Sequence, residues 1–132
     1  MHRPRIFVCD DDDMIVQIVS SKLRDEGCNV ATAASGRDVL QMLAAETPDL
    51  LIVDAMMPGM DGAEVLKAVR TDGRLKALPV LMLSAKRDPE FIAKVVQLGI
   101  TDYVAKPFSL GELAKRVKRI VGPEVPDTMI LD

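Results

Sequence analysis

The chain has 132 residues, a formal net charge of −3, 48% hydrophobic residues and only 3% aromatic ones. That is one domain of ordinary size, with a core of Val, Ile, Leu, Met and Ala able to bury roughly two-thirds of the unfolded surface. With no Trp, one Tyr and an acidic balance, an aromatic nucleic-acid platform is disfavoured, as is direct binding to DNA or an anionic membrane surface.

The first apolar run, Ile6-Phe7-Val8-Cys9, is too short for a signal-peptide core or a membrane span, so a cytoplasmic protein is expected. It reads as a buried strand ending at Asp10 and Asp11. His2 is the single histidine and precedes this strand, so the domain offers no core phosphohistidine and no histidine metal cluster. Asp13 is expected to cap a helix from Met14 to Glu26, with Ile15, Ile18, Val19 and Leu23 on one face and Gly27 as its stop. Cys9 and Cys28 form no disulfide framework and read as small core hydrophobes.

A second strand is expected from Asn29 to Ala33; its composition is weak for a strand and it ends in nothing reactive. Ser35 with Asp38 then opens a helix carrying Val39, Met42 and Leu43. Leu50-Leu51-Ile52-Val53 forms a third strand before Asp54, followed by Asp61 with Glu64 and a helix carrying Val65, Leu66 and Val69. Val80-Leu81-Met82-Leu83 runs into Ser84, and Asp88-Pro89 starts a helix through Phe91, Val95 and Leu98 that stops at Gly99. Tyr103-Val104-Ala105 leads to Lys106, and Ser109 with Glu112 opens a last helix carrying Leu113, Val117 and Ile120. The pairs at Ser35, Asp61 and Ser109 are capping-box patterns. Residues 1–121 are thus expected to form the domain, and 122–132, starting Gly122-Pro123, a linker-like tail in which Met129-Ile130-Leu131 is expected to fray.

A strand followed by a helix, five times over, argues for an α/β fold: a parallel sheet with right-handed crossovers and helices on both faces. In such a sheet all strand carboxyl ends lie on one edge, where ligands bind, so Asp10, Asp11, Asp54, Ser84 and Lys106 are expected to converge. Alone, the run Asp10 to Asp13 reads as a solvated charge cluster favouring a helix N-terminus. Asp54 alters that reading, because a carboxylate ending a wholly apolar run needs a cation or a proton. Two acidic groups on one edge repel, and a hard divalent cation such as Mg²⁺ suits them while leaving sites for water and phosphate. With Lys106 as a mobile positive charge and Ser84 as a hydroxyl, the set is equipped for phosphoryl transfer through an aspartyl-phosphate.

The segments Val8-Cys9-Asp10-Asp11-Asp12, Val53-Asp54-Ala55-Met56-Met57-Pro58-Gly59-Met60-Asp61-Gly62, Leu83-Ser84-Ala85 and Asp102-Tyr103-Val104-Ala105-Lys106-Pro107-Phe108 together resemble the receiver domain of two-component response regulators, from about Arg5 to Val121. The resemblance implies a flavodoxin-like doubly wound sandwich with five parallel strands in the order 2-1-3-4-5. It also implies Asp54 as the phosphoacceptor, with Mg²⁺ held by Asp11, by Asp10 directly or through water, by Asp54 and by the main-chain carbonyl of Met56. Lys106 would contact the phosphoryl group, with a cis bond to Pro107, and Ser84 and Tyr103 would be the switch pair, the ring turning inward on phosphorylation. Met56 and Lys86 would flank the phosphoryl site. The domain would be a signalling element rather than a turnover enzyme, catalysing only its own phosphotransfer and dephosphorylation.

The donor would be a histidine kinase or a histidine phosphotransfer protein acting in trans, and output would pass through the last helix pair and the strand between them. Asp102, Glu112 and Arg116 resemble charged positions at a dimerising face, which raises a phosphorylation-dependent homodimer. Two rivals use related chemistry or folds. A phosphatase of the haloacid-dehalogenase type is imitated by Asp11-x-Asp13, but Ile15 stands where Thr or Val is expected and no acidic pair follows the late lysine. A flavodoxin-like nucleotide or flavin binder lacks a Gly-rich phosphate loop after the first strand.

Overall fold

The computed structural model describes residues 3–122. In chain order the elements are β1 (Arg5–Cys9), α1 (Asp13–Asp25), β2 (Asn29–Ala33), α2 (Gly36–Ala45), β3 (Leu50–Asp54), α3 (Gly62–Thr71), β4 (Val80–Ser84), α4 (Pro89–Gln97), β5 (Asp102–Ala105) and α5 (Leu110–Val121). The strands form one parallel sheet in the order β2-β1-β3-β4-β5. Asn29–Ala33 is an edge strand, so its poor strand composition is tolerated by pairing with β1 alone.

Successive side chains of a strand point to opposite faces, and the buried residues divide accordingly. Phe7, Leu51, Val53, Val80 and Met82 pack with Val39 and Leu43 of α2, Val65, Leu66 and Val69 of α3 and Val95 of α4. Ile6, Val8, Leu50, Ile52, Leu81 and Leu83 pack on the other face with Val19 and Leu23 of α1 and Leu113 and Val117 of α5. Burial on both faces explains why the central strands read as unbroken apolar runs.

The helix starts depart from expectation in two respects. Asp12, not Asp13, is the N-cap of α1: its backbone is extended and its carboxylate accepts from the Met14 and Ile15 N–H groups, leaving Asp13 in the first turn. A reciprocal capping box closes only at Asp61 and Glu64 among the described residues. Ser35 and Ser109 accept from the Asp38 and Glu112 N–H groups, but the Glu112 carboxylate turns to Arg116 instead of back to its own cap. The linker-like tail from Pro123 onward, its Met129-Ile130-Leu131 segment and His2 lie outside the described residues.

The carboxyl edge is levelled by register. Cys9 pairs with Val53, Asp54 with Leu83 and Ser84 with Ala105, so the residues that end β1, β3, β4 and β5 face one crevice. The loop from β3 to α3 is pulled tight over that edge, with the Gly62 N–H donating to the Ala55 carbonyl at 3.0 Å. A Cβ at Gly62 would lie 2.4 Å from the Asp54 carbonyl oxygen, so only glycine allows this approach.

Candidate functional site at the carboxyl edge of the sheet

Asp10 and Asp54 are 1% and 5% exposed, so each carboxylate must be compensated locally. Asp10 accepts from the Asp12 N–H at 3.0 Å through one oxygen and from the Lys106 ammonium at 3.0 Å through the other. The same ammonium lies 3.2 Å from Asp54 Oδ1, so Lys106 bridges the acids that end two neighbouring strands. Asp11 is exposed beside them, and one carboxylate oxygen each from Asp10, Asp11 and Asp54 lie within 4.8 Å of one another. Three oxygen donors with more negative charge than one ammonium can balance suit a hard divalent cation.

Burial, then the neighbouring Asp10 charge, push the Asp54 carboxyl above its ordinary pKa, against the pull of Lys106 and of the Met56 N–H. Burial alone would lower the Lys106 ammonium, but Asp10 and Asp54 outweigh it and the net shift is upward. Lys106 therefore stays charged and can meet phosphate oxygens. Cys9, just beneath, is buried and free; burial and then Asp10 and Asp54 push its thiol up to about 12, which removes it as a nucleophile and bears out its reading as a core residue. Cys28 is likewise free and buried.

Ser84 is fully buried, and its hydroxyl oxygen accepts from the Lys86 N–H at 2.8 Å. The Tyr103 hydroxyl donates to the Lys86 carbonyl at 2.5 Å from a half-buried ring, so one peptide segment joins the two residues expected to act as a pair. The Lys86 ammonium sits over the Phe91 ring, 5.3 Å from its centroid. The Lys106-Pro107 bond is cis. The Met56 side chain is exposed, while its N–H faces the Asp54 carboxylate.

The family model for the response regulator receiver domain matches residues 6–118. The chain belongs to that family. This receiver domain is 40% identical over 117 residues to the chemotaxis protein CheY of Pseudomonas aeruginosa, covering 88% of this chain and 94% of that one. It is 41% identical over 118 residues to the alkaline phosphatase synthesis transcriptional regulatory protein PhoP of Bacillus subtilis, covering 89% of this chain but 48% of PhoP. The receiver domain thus spans nearly all of one relative and about half of the other.

Among solved structures, Vibrio cholerae chemotaxis protein CheY4 is similar with a TM-score of 0.85 and 36% identity, over 90% of this chain and 99% of that one. The BeF3-activated DrrB receiver domain is similar with a TM-score of 0.81 and 32% identity, over 91% and 98%. These matches and the strand order bear out the flavodoxin-like reading of the receiver domain. They place it with signalling proteins rather than classical enzymes. The haloacid-dehalogenase alternative finds no support: Asp13 lies in the first turn of α1, exposed and apart from the acidic trio. Among the described residues no helix is long and apolar enough to cross a membrane.

The edge thus gathers Asp10, Asp11, Asp54 and Lys106, and joins Ser84 to Tyr103 through Lys86. Asp102, Glu112 and Arg116 form a separate cluster, in which Arg116 donates to both Asp102 carboxylate oxygens at 2.9 and 3.0 Å and to Glu112 at 3.2 Å. Sequence reasoning missed Arg87, whose guanidinium reaches the Lys106 carbonyl at 3.0 Å; an exposed arginine between strand and helix carries no signal of that contact.

Proposed function

We propose that Asp54 accepts a phosphoryl group from a phosphohistidine on a histidine kinase or a histidine phosphotransfer protein. The observation that carries this reading is the single ammonium of Lys106 bridging Asp10 and Asp54 beside Asp11, a set suited to a metal ion and an incoming phosphate together. An Asp54 carboxylate oxygen attacks phosphorus as the P–N bond breaks, and its electrons return to the donor imidazole, which takes a proton from solvent. The product is an acyl phosphate on Asp54. Asp10, Asp11, Asp54 and the Met56 carbonyl would hold Mg²⁺, which when bound supplies charge neutralisation for the phosphoryl oxygens. Lys106 supplies the second positive charge on the protein side.

The buried Ser84 hydroxyl reports the new oxygens to Tyr103 through the 84–87 segment, and the signal leaves by the face formed by α4, β5 and α5 toward a partner or an output domain. Hydrolysis of the acyl phosphate by the domain itself resets it. Residues 1–121 would act as the receiver and 122–132 as a linker, in the cytoplasm, where the free thiols of Cys9 and Cys28 persist. The charges of Asp102, Arg116 and Glu112 are satisfied within one chain, so a dimer built through them must exchange these bonds for intermolecular ones.

Intact-mass measurement with acetyl phosphate tests the metal part. Phosphate uptake is expected with Mg²⁺, to vanish with chelator, and to fall by about tenfold or more in Asp11→Ala at limiting Mg²⁺. Wild-type uptake by Asp11→Ala at limiting Mg²⁺ would remove Asp11 from the site.

A further inference from the structure

The main chain of Lys106 is held from both sides by the segment that follows β4. Its N–H donates to the Ser84 carbonyl at 2.8 Å, continuing the β4–β5 ladder by one rung. Its carbonyl, beyond the ladder, accepts from Arg87 Nη2 at 3.0 Å. Between these two bonds the Tyr103 hydroxyl holds the Lys86 carbonyl. The stretches 84–87 and 103–106 are therefore stitched at three points, and the Arg87 bond is the one furthest along the chain toward α5.

We propose that Arg87 is a positioning residue for phosphoryl transfer, acting through its bond to the Lys106 carbonyl to fix where the Lys106 ammonium stands relative to Asp54. The proposal rests on Lys106 as a phosphoryl contact. The lysine side chain is a flexible stem, so the placement of its Nζ depends on its backbone anchor. Without Arg87 the Lys106 carbonyl loses its hydrogen bond to the β4 side, and small displacements of a charged group cost rate steeply in a transfer that relies on positioning. The guanidinium bond is also charge-assisted, hence stronger than one from a neutral donor. Because Arg87 is exposed and the sheet does not depend on it, its loss should act on rate rather than on folding.

The test is the time course of loading from phosphoramidate in excess Mg²⁺, followed by intact mass. Arg87→Ala should lower the saturated rate about fivefold, leave the half-saturating donor concentration and the melting temperature unchanged, and keep its deficit in 0.5 M salt. Arg87→Lys, which keeps a cationic donor of similar length, should recover most of the rate. An unchanged rate in Arg87→Ala, or a deficit that disappears in high salt and so reports only general charge attraction, would overturn the proposal. Lys106→Ala separates the two levels. If it too loads at the wild-type rate, the reading of Lys106 fails; if it is slow while Arg87→Ala is not, only the role of Arg87 fails.

Discussion

A carboxylate on the last residue of a buried strand costs stability in the metal-free protein, and Asp54 carries that cost with Asp10 as its neighbour. Its folded pKa lies above the ordinary 3.8, so the folded chain holds the proton more tightly than the unfolded one. The stabilising contribution is therefore full below the ordinary value and lost as pH rises through the folded one. Asp54→Asn should raise the melting temperature at pH 7.5 in chelator by about 3 °C, and the gain should shrink as the pH falls toward 4 or when Mg²⁺ is added. A variant less stable than wild type in chelator would show that burial and repulsion are not the dominant forces on this group. Residues of this kind were legible in the sequence because an apolar run that stops at a charge is costly unless the charge is used. Arg87 and the Lys86 peptide were not, since their contacts depend on how two loops approach in space.

Elements were legible where periodicity and caps agree, as at α3, whose Asp61 and Glu64 close a full capping box. The start of α1 was misplaced by one residue, because four consecutive acids offer four possible caps and only backbone geometry selects Asp12. The same elements hold the site in shape. Gly62 begins α3 against the backbone of Asp54, and a Cβ there would overlap the Asp54 carbonyl and lie 2.9 Å from Ala55 Cα. Gly62→Ala should destabilise by about 2 kcal/mol and weaken Mg²⁺ binding, whereas Gly73→Ala, with open space at its Cβ, should change neither. Equal stability of the two variants by denaturant unfolding would contradict this view of the β3–α3 turn.

At the scale of the molecule, the parallel order of the strands turns separations of tens of residues into contacts of about 3 Å at one edge, as between Asp10 and Lys106. Alternation of strands and helices along the chain predicted helices on both faces, and the two buried clusters bear this out. Strand order itself was not carried by periodicity; it came from resemblance, because the pairing of β1 with β3 depends on which crossover lies on which face. The partner side of the Asp102, Glu112 and Arg116 cluster was also beyond sequence, which cannot tell an internal ion pair from an intermolecular one. That this edge is a phosphoacceptor site centred on Asp54 is tested most directly by peptide-level mass mapping after reaction with acetyl phosphate and Mg²⁺. One alkali-labile phosphate on the peptide containing Asp54, absent in Asp54→Ala, is the predicted result; phosphate on another residue, or uptake by Asp54→Ala at the wild-type level, would contradict it.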